Sequence, residues 1–353
     1  MWTNNYKLNI DKDVSCLYYL DTLYIGDECG FIKNYKNTNL LYNTKYFSKR
    51  FDYLESCDVI EKITSLDVLE TGGINQKIII SNERNIKIFD VRNNLSTMDN
   101  INKLQGEYKH TLEKEFNNIH SYMCNSISLN NDSQYFISSD YLMINLWKPD
   151  ILEGCFNLID IKPPKHSDLV YVINTSKFSK YLNTIFGYST THGEIILNDI
   201  RISSKTENIL KIKNKENDIK DGAFKSISDF SFINDYEIIN RSLNHVCLFD
   251  MRNTDKEIYS VVISDKINKN PSILDTDEVY EKFKICNNCK YAFTGSFGNV
   301  VNAINIKNGE KTEIKIPDKL RNLEENKTRF VRANDDGFFV VYGKSIYNYI
   351  EKI

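Results

Sequence analysis

Residues 116–164 read FNNIHSYMCNSISLNNDSQYFISSDYLMINLWKPDILEGCFNLIDIKPP. Within them Ser126–Asn130 alternates apolar with polar residues, Asn131-Asp132-Ser133 supplies a turn, and Tyr135–Ser138 is rich in strand formers. Met143–Trp147 alternates again ahead of Pro149, and Phe156–Lys162 follows at once. Four short strands in about 40 residues, the third ending on a tryptophan, make the pattern of one blade of a β-propeller.

Working outward, the ends of the corresponding third strands fall at Tyr35, Phe89, Trp147, Asn198, Phe249, Ile304 and Tyr349. Seven nearly even units leave no room for the helices of roughly 10 to 15 residues that a βαβ fold needs between strands. Three of these markers precede Asp-X-Arg: Asp90-Val91-Arg92, Asp199-Ile200-Arg201 and Asp250-Met251-Arg252. An aspartate there accepts amide hydrogen bonds in the following turn and pairs with the arginine, which secures a blade corner. Little sequence follows Tyr349, whereas Trp2–Ile10 is a strand-like piece standing before the first unit's inner strand near Cys16–Leu20. The N-terminal piece is therefore expected to complete the last blade and close the ring. The reading is all-β: a single seven-bladed propeller over 1–353, with an insertion at 93–119 after the second blade's third strand.

The composition agrees. No Pro-, Gly- or Ser-rich linker divides the chain, and 41% apolar residues suffice for a core. A formal charge of -3 argues against a nucleic-acid partner held by phosphate neutralisation. The first residues show neither a basic flank nor an apolar core, and no apolar run reaches the roughly 18 residues of a membrane span. The expectation is a cytoplasmic protein, with the nucleus also open, whose eight cysteines stay reduced.

Catalysis finds no constellation. The five histidines are dispersed, and Gly295-Ser296-Phe297-Gly298 is not a nucleophile elbow but a tight turn between strands. Cys286-Asn287-Asn288-Cys289 has zinc-like spacing, yet an Asn-Asn centre between strands reads as a hairpin turn, so neither metal nor other cofactor is expected. His120 precedes a strand and reads as a blade anchor. The mixed-charge stretches 202–223 and 310–328 read as surface loops.

A more specific likeness accompanies the blade pattern. FNNIHSY from Phe116, NSISLN from Asn125, SSDYLMINLW from Ser138 and CFNLIDIKPP from Cys155 resemble the WD-repeat 55 kDa B-type regulatory subunits of serine/threonine protein phosphatase 2A. So do FDYLES from Phe51, SNERNIKIFD from Ser81, GEIILNDIR from Gly193, SISDFSF from Ser226 and TGSFGNV from Thr294. The resemblance implies a non-catalytic subunit that binds the scaffold (A) and catalytic (C) subunits. It would recruit phosphorylated protein substrates through an acidic and apolar groove on the top face. The matching groove positions are Phe51, Asp58, Glu61, Tyr122, Asn125, Asp140, Leu169 and Val172. Leu169 and Val172 also suit the core start of the next blade's inner strand.

In the family the position of Asn93–Ile119 holds a protruding hairpin that helps grip the scaffold. Here it is shorter, and Leu104, Tyr108, Leu112 and Phe116 recur at four-residue spacing, which equally suits a helix face. That stripe is either a scaffold-docking surface or folded back on the ring. The alternative function is accordingly a propeller adaptor that has lost the scaffold. Glu28, Met123 and Tyr141 depart from the family's residues, so the peptides preferred should differ from those of relatives.

Overall fold

The computed structural model describes residues 2–53, 56–70, 75–94, 107–151, 154–202, 209–214, 225–263, 277–318, 320 and 326–352. They form seven four-stranded antiparallel sheets, six of them built from consecutive strands and the seventh completed by the N-terminal strand, plus one two-stranded ribbon. This is an all-β, seven-bladed propeller, with only short 3₁₀ turns such as His166–Asp168 among the described residues. The residues divide into two compact units, Lys12–Asn157 and Met1–Asp11 with Leu158–Ile353.

The first unit holds blades 1 and 2 and the first three strands of blade 3. Blade 1 runs Val14–Tyr19, Leu23–Asp27, Phe31–Lys36 and Asn39–Lys45; blade 2 runs Ser65–Glu70, Asn75–Ser81, Ile86–Asn94 and Glu107–Phe116. Blade 3 comprises Ser126–Leu129, Phe136–Ser139 and Met143–Trp147, completed by Phe156–Asp160. The third-strand markers Tyr35, Phe89 and Trp147 all lie in third strands, as do Asn198, Phe249, Ile304 and Tyr349 in the other unit.

Two devices hold neighbouring blades together. Apolar faces meet: Ile79, Ile86 and Ile88 of blade 2 pack on Ile127, Phe136 and Trp147 of blade 3. Burying each such side chain contributes about 1.5–3 kcal/mol. The innermost strands, whose edge amides have no strand partner, are stitched by side chains. Asp67 Oδ2 accepts the Leu129 amide at 2.8 Å, and Ser65 Oγ accepts that of Ile127 at 2.9 Å. Asp229 Oδ2 accepts the Ile285 amide at 3.0 Å in the same way.

The second unit closes as the sequence implies. Trp2–Asn9 pairs antiparallel with Ser345–Glu351, from Trp2 opposite Glu351 to Asn9 opposite Ser345, and supplies the last blade's outer strand. Trp2 anchors it, edge-on to Tyr291, Phe293 and Phe338 at 5.3, 5.3 and 5.6 Å. Two of the Asp-X-Arg corners form as expected, Arg201 and Arg252 each gripping their aspartate with two nitrogens and donating a backbone amide to it; Arg92 Nε also reaches Asp90 at 2.8 Å, but Asp90-Val91-Arg92 lies inside the strand Ile86–Asn94 and closes no corner.

Three expectations need correcting. Within the stretch 104–116, Glu107–Phe116 is not helical; it is the outer strand of blade 2, paired from Asn94 opposite Glu107 to Ile86 opposite Phe116. A bulge between Ile88 and Phe89 skips Glu113 and turns the strand over, so Tyr108 faces blade 1 while Phe116 faces Trp147 of blade 3. Leu210–Lys213 and Lys311–Lys315, inside the presumed loops, are the outer strands of blades 4 and 6. Alternating charges on an edge strand look like a solvated loop because half the side chains do face water.

Candidate functional site

Between blades 1 and 2 the chain makes the two-stranded ribbon Arg50–Asp52 with Cys57–Val59, Phe51 lying opposite Asp58. Ser56 closes its turn at φ 52°, in the left-handed region. Ion pairs pin the ribbon to blade 2: Asp52 lies 3.7 Å from Arg84, and Arg50 3.3 Å from Glu115. The Ile60 amide also donates to Glu83 at 3.4 Å. Held this way, the ribbon keeps apolar groups in water. Phe51 is 48% exposed and edge-on to Tyr53 at 5.2 Å, Tyr53 is 85% exposed, and Ile60 is 52% exposed. Directly opposed residues share a face, so Phe51 and Asp58 do come together.

The acidic groups are not bare. Asp58 pairs with Lys49 at 2.8 Å and Glu61 with Lys45 at 2.9 Å, while the Lys49 amide donates to Glu61 at 3.1 Å. Lys45 beside Glu61 holds its carboxyl below the usual range. Glu28 likewise pairs with Lys62 at 2.7 Å. A basic peptide would therefore exchange with internal lysines instead of filling an open acidic groove.

Blade 3 shows a different arrangement. Asp140 is sealed from solvent and cannot line a groove, which corrects the sequence-based assignment. Its Oδ2 lies 3.1 Å from His120 Nδ1, and its Oδ1 accepts the Leu142 and Met143 amides, both at 2.7 Å. The relay continues: His120 Nε2 lies 2.7 Å from Ser138 Oγ, which accepts the Trp147 indole N–H at 2.8 Å. With Nδ1 donating to the carboxylate and Nε2 accepting from the hydroxyl, every proton in the relay is used. Burial alone would raise the Asp140 carboxyl; the hydrogen bonds from His120 and the two amides outweigh it and hold the carboxyl low. Asn125 is likewise structural: its amide donates to Ser139 O at 2.8 Å, and its Oδ1 accepts the Ser139 hydroxyl at 2.5 Å. Tyr122 remains 37% exposed, edge-on to Tyr141.

In the other unit, Leu169 is exposed just after the 3₁₀ turn, and Val170 beside it is more so. The Val172 amide donates to Thr191 Oγ1 at 3.1 Å and its carbonyl accepts the Thr191 amide at 3.0 Å. Val172 thus opens blade 4's inner strand, and its side chain is half-buried. Of the four stripe residues, Leu104 lies outside the described residues. Tyr108 packs on Tyr42, Phe116 packs on Trp147, and Leu112 is exposed. The stripe is not presented as one surface.

No family model matches the chain. Among solved structures, Raptor from Chaetomium thermophilum superposes with a TM-score of 0.70 over all of this chain and 29% of that one, at 11% identity, a likeness of fold alone. Among curated proteins, the PP2A B-type regulatory subunit of Candida tropicalis is 28% identical over 359 aligned positions, 88% of this chain and 70% of the relative. Along most of its length the chain is similar to the B-type regulatory subunits of protein phosphatase 2A. A second relative in that family, the serine/threonine-protein phosphatase 2A regulatory subunit phr2AB of Dictyostelium discoideum, is 35% identical over 198 positions, 54% of this chain and 41% of that protein. Both relatives are named as regulatory subunits of the phosphatase. Sequence reasoning missed Tyr53 and Ile60, its most exposed apolar neighbours of Phe51. Their signal was present, because an apolar residue on each side of an ion-paired ribbon has no core to enter.

Proposed function

We propose that the chain is the targeting subunit of a protein phosphatase 2A heterotrimer, binding the scaffold and catalytic subunits and recruiting phosphorylated protein substrates. The observation that carries this reading is the match to the Candida tropicalis regulatory subunit along 88% of the chain. Such a subunit does no chemistry; it converts a dilute encounter into a tethered one, with effective concentrations on the order of millimolar.

In this reading the substrate surface is the ribbon at 50–61. Phe51, Tyr53 and Ile60 supply anchors whose truncation costs about 2 kcal/mol or more when they become buried against a peptide. Asp58 and Glu61 steer, each exchangeable ion pair being worth about 0–1 kcal/mol. Tyr122, Leu169 and Val172 keep the peptide-contacting role that the family likeness gives them, whereas Asn125 and Asp140 act by holding blade 3. Scaffold binding falls to the outer end of blade 2, where Leu112 is the exposed apolar group of the described strand. A cytoplasmic location, with the nucleus also open, belongs to the same reading.

The test is co-purification of the full chain with both other subunits, followed by dephosphorylation assays on captured phosphoproteins with Phe51→Ala/Tyr53→Ala. The expected result is an intact heterotrimer with impaired substrate turnover. A chain that captures neither of them overturns the proposal.

A further inference from the structure

Blade 5 ends on the strand Asn253–Val262, ten residues long, and among the described residues no strand lies beyond it. Its pairing fixes where its main-chain groups point. The Ile263 amide donates to Asn244 O at 2.7 Å, and the register runs from His245 opposite Val262 through Cys247 opposite Ser260 to Leu248 opposite Tyr259. Opposed residues in an antiparallel pair alternate between bonded and non-bonded, so Tyr259, Val261 and Ile263 turn their N–H and C=O inward while those of Ser260 and Val262 point out from the blade. The side chains divide in the same way. Tyr259 and Val261 pack on the core shared with blade 6, the Tyr259 hydroxyl donating to Ile306 O at 3.1 Å. Ser260 lies on the other face, its Oγ 3.3 Å from Cys247 Sγ, and on either side of it Ile258 and Val262 are 51% and 40% exposed.

An open edge is normally guarded by charge. The outer strands of the neighbouring blades follow that rule, Leu210–Lys213 with Lys211 and Lys213, and Lys311–Lys315 with Lys311, Glu313 and Lys315. Residues 258–263 read IYSVVI, with four β-branched side chains, no charge and no proline. Such a rim templates another strand.

The rim is also complementary to itself. A two-fold axis at Ser260 lets two copies exchange both outward main-chain hydrogen bonds of that residue and sets each Ile258 across from the other copy's Val262 on one face. Glu257 then stands opposite Ile263, so no like charges meet along the described strand. A foreign strand satisfies the main-chain groups, but the same sequence supplies an apolar partner for both exposed side chains at once. We propose that the chain pairs with a second copy of itself through this edge, blade 5 to blade 5. The pairing is independent of any role with a phosphatase.

The test is sedimentation equilibrium of the full chain from about 1 to 100 µM, where a monomer–dimer equilibrium is expected. Ile258→Lys/Val262→Lys sets lysine across from lysine and is expected to weaken association about tenfold or more, as is Ile258→Glu/Val262→Glu. Mixing the two variants is expected to restore the dimer, because lysine then meets glutamate at both ends. Both side chains are exposed, so neither variant endangers the fold. Ser260→Pro removes an outward N–H and no bond of the blade's own ladder, and it is expected to weaken the dimer alike. A chain that is monomeric throughout the range, a dimer unchanged by the lysine pair, or no recovery on mixing overturns the proposal. A monomeric chain that binds a synthetic peptide of residues 257–263 overturns it in favour of a foreign strand.

Discussion

Asp140 Oδ2 lies 3.1 Å from His120 Nδ1, and both side chains are sealed from solvent. That pair, extended through Ser138 to Trp147, locks the third blade's second and third strands to the segment entering the blade. The position recurs around the chain. Asp27 accepts the Cys29 and Phe31 amides in blade 1, Asn82 those of Arg84 and Asn85 in blade 2, and Ser242 that of His245 in blade 5. A polar cap closing the second-to-third-strand turn is thus part of the blade's construction.

His120→Ala is expected to destabilise the protein by about 3 kcal/mol, since it leaves a buried carboxylate and hydroxyl without their partner. Asp140→Asn, which keeps the amide acceptor as Asn82 does, should cost roughly 2 kcal/mol. Because the folded-state carboxyl of Asp140 is depressed, its contribution is complete above about pH 4 and is lost as pH falls through the folded value. Urea titrations from neutral to acid pH check this: the gap between wild type and Asp140→Asn should narrow only below about pH 4.

His110 gives a dependence of the same sign in a higher pH window. Its ring is packed between Tyr42 and Tyr46, with Nδ1 2.7 Å from Tyr46 OH, and burial lowers its affinity for a proton. An imidazole depressed in the fold binds fewer protons than in the unfolded chain, so stability is complete above about pH 6.5 and declines as pH falls below it. Thermal melts from pH 7.5 to 5 should show that decline in wild type and a flatter profile in His110→Gln. Parallel profiles would remove His110 from the account.

Trp2 tests ring closure. It meets Tyr291, Phe293 and Phe338 from the far end of the sequence, so Trp2→Ala removes an aromatic cluster as well as area and is expected to cost about 2–3 kcal/mol. Removing residues 2–9 should do more, because it bares the Ser345–Glu351 edge. Melting temperature and light scattering read both effects, and a truncated chain as stable and as monomeric as the full one would refute the closure.

The repeat was legible because third strands end on recognisable residues, and because Trp2–Ile10 has strand chemistry but no blade of its own in sequence order. The buried role of Asp140 was not, since an acid after a strand reads alike as a turn cap or as a ligand. The distinguishing clue lay in repetition: Asp27, Asn82, Asp140 and Ser242 occupy one structural position, and a ligand position would not recur in blade after blade. The face taken by Phe116 was also hidden. One skipped residue, Glu113, reverses a strand's faces, and nothing in the local sequence announces a bulge.

The lysine partners of Asp58 and Glu61 lead to a prediction that runs against simple intuition. Removing a positive charge normally leaves neutral or weakens a surface, but Lys49→Ala and Lys45→Ala would uncover carboxylates that are now satisfied within the chain at 2.8 and 2.9 Å. If the ribbon captures basic phosphoprotein segments beside Phe51, the double variant should bind them several-fold faster at low salt. The advantage should fade as ionic strength rises and the Debye length shrinks to about 8 Å at physiological salt. Adding Phe51→Ala to the same background should instead speed dissociation, because the anchor and not the charge resists release. Stopped-flow association at two salt concentrations separates the two terms. A double variant whose association rate matches wild type at both would show that Asp58 and Glu61 take no part in capture.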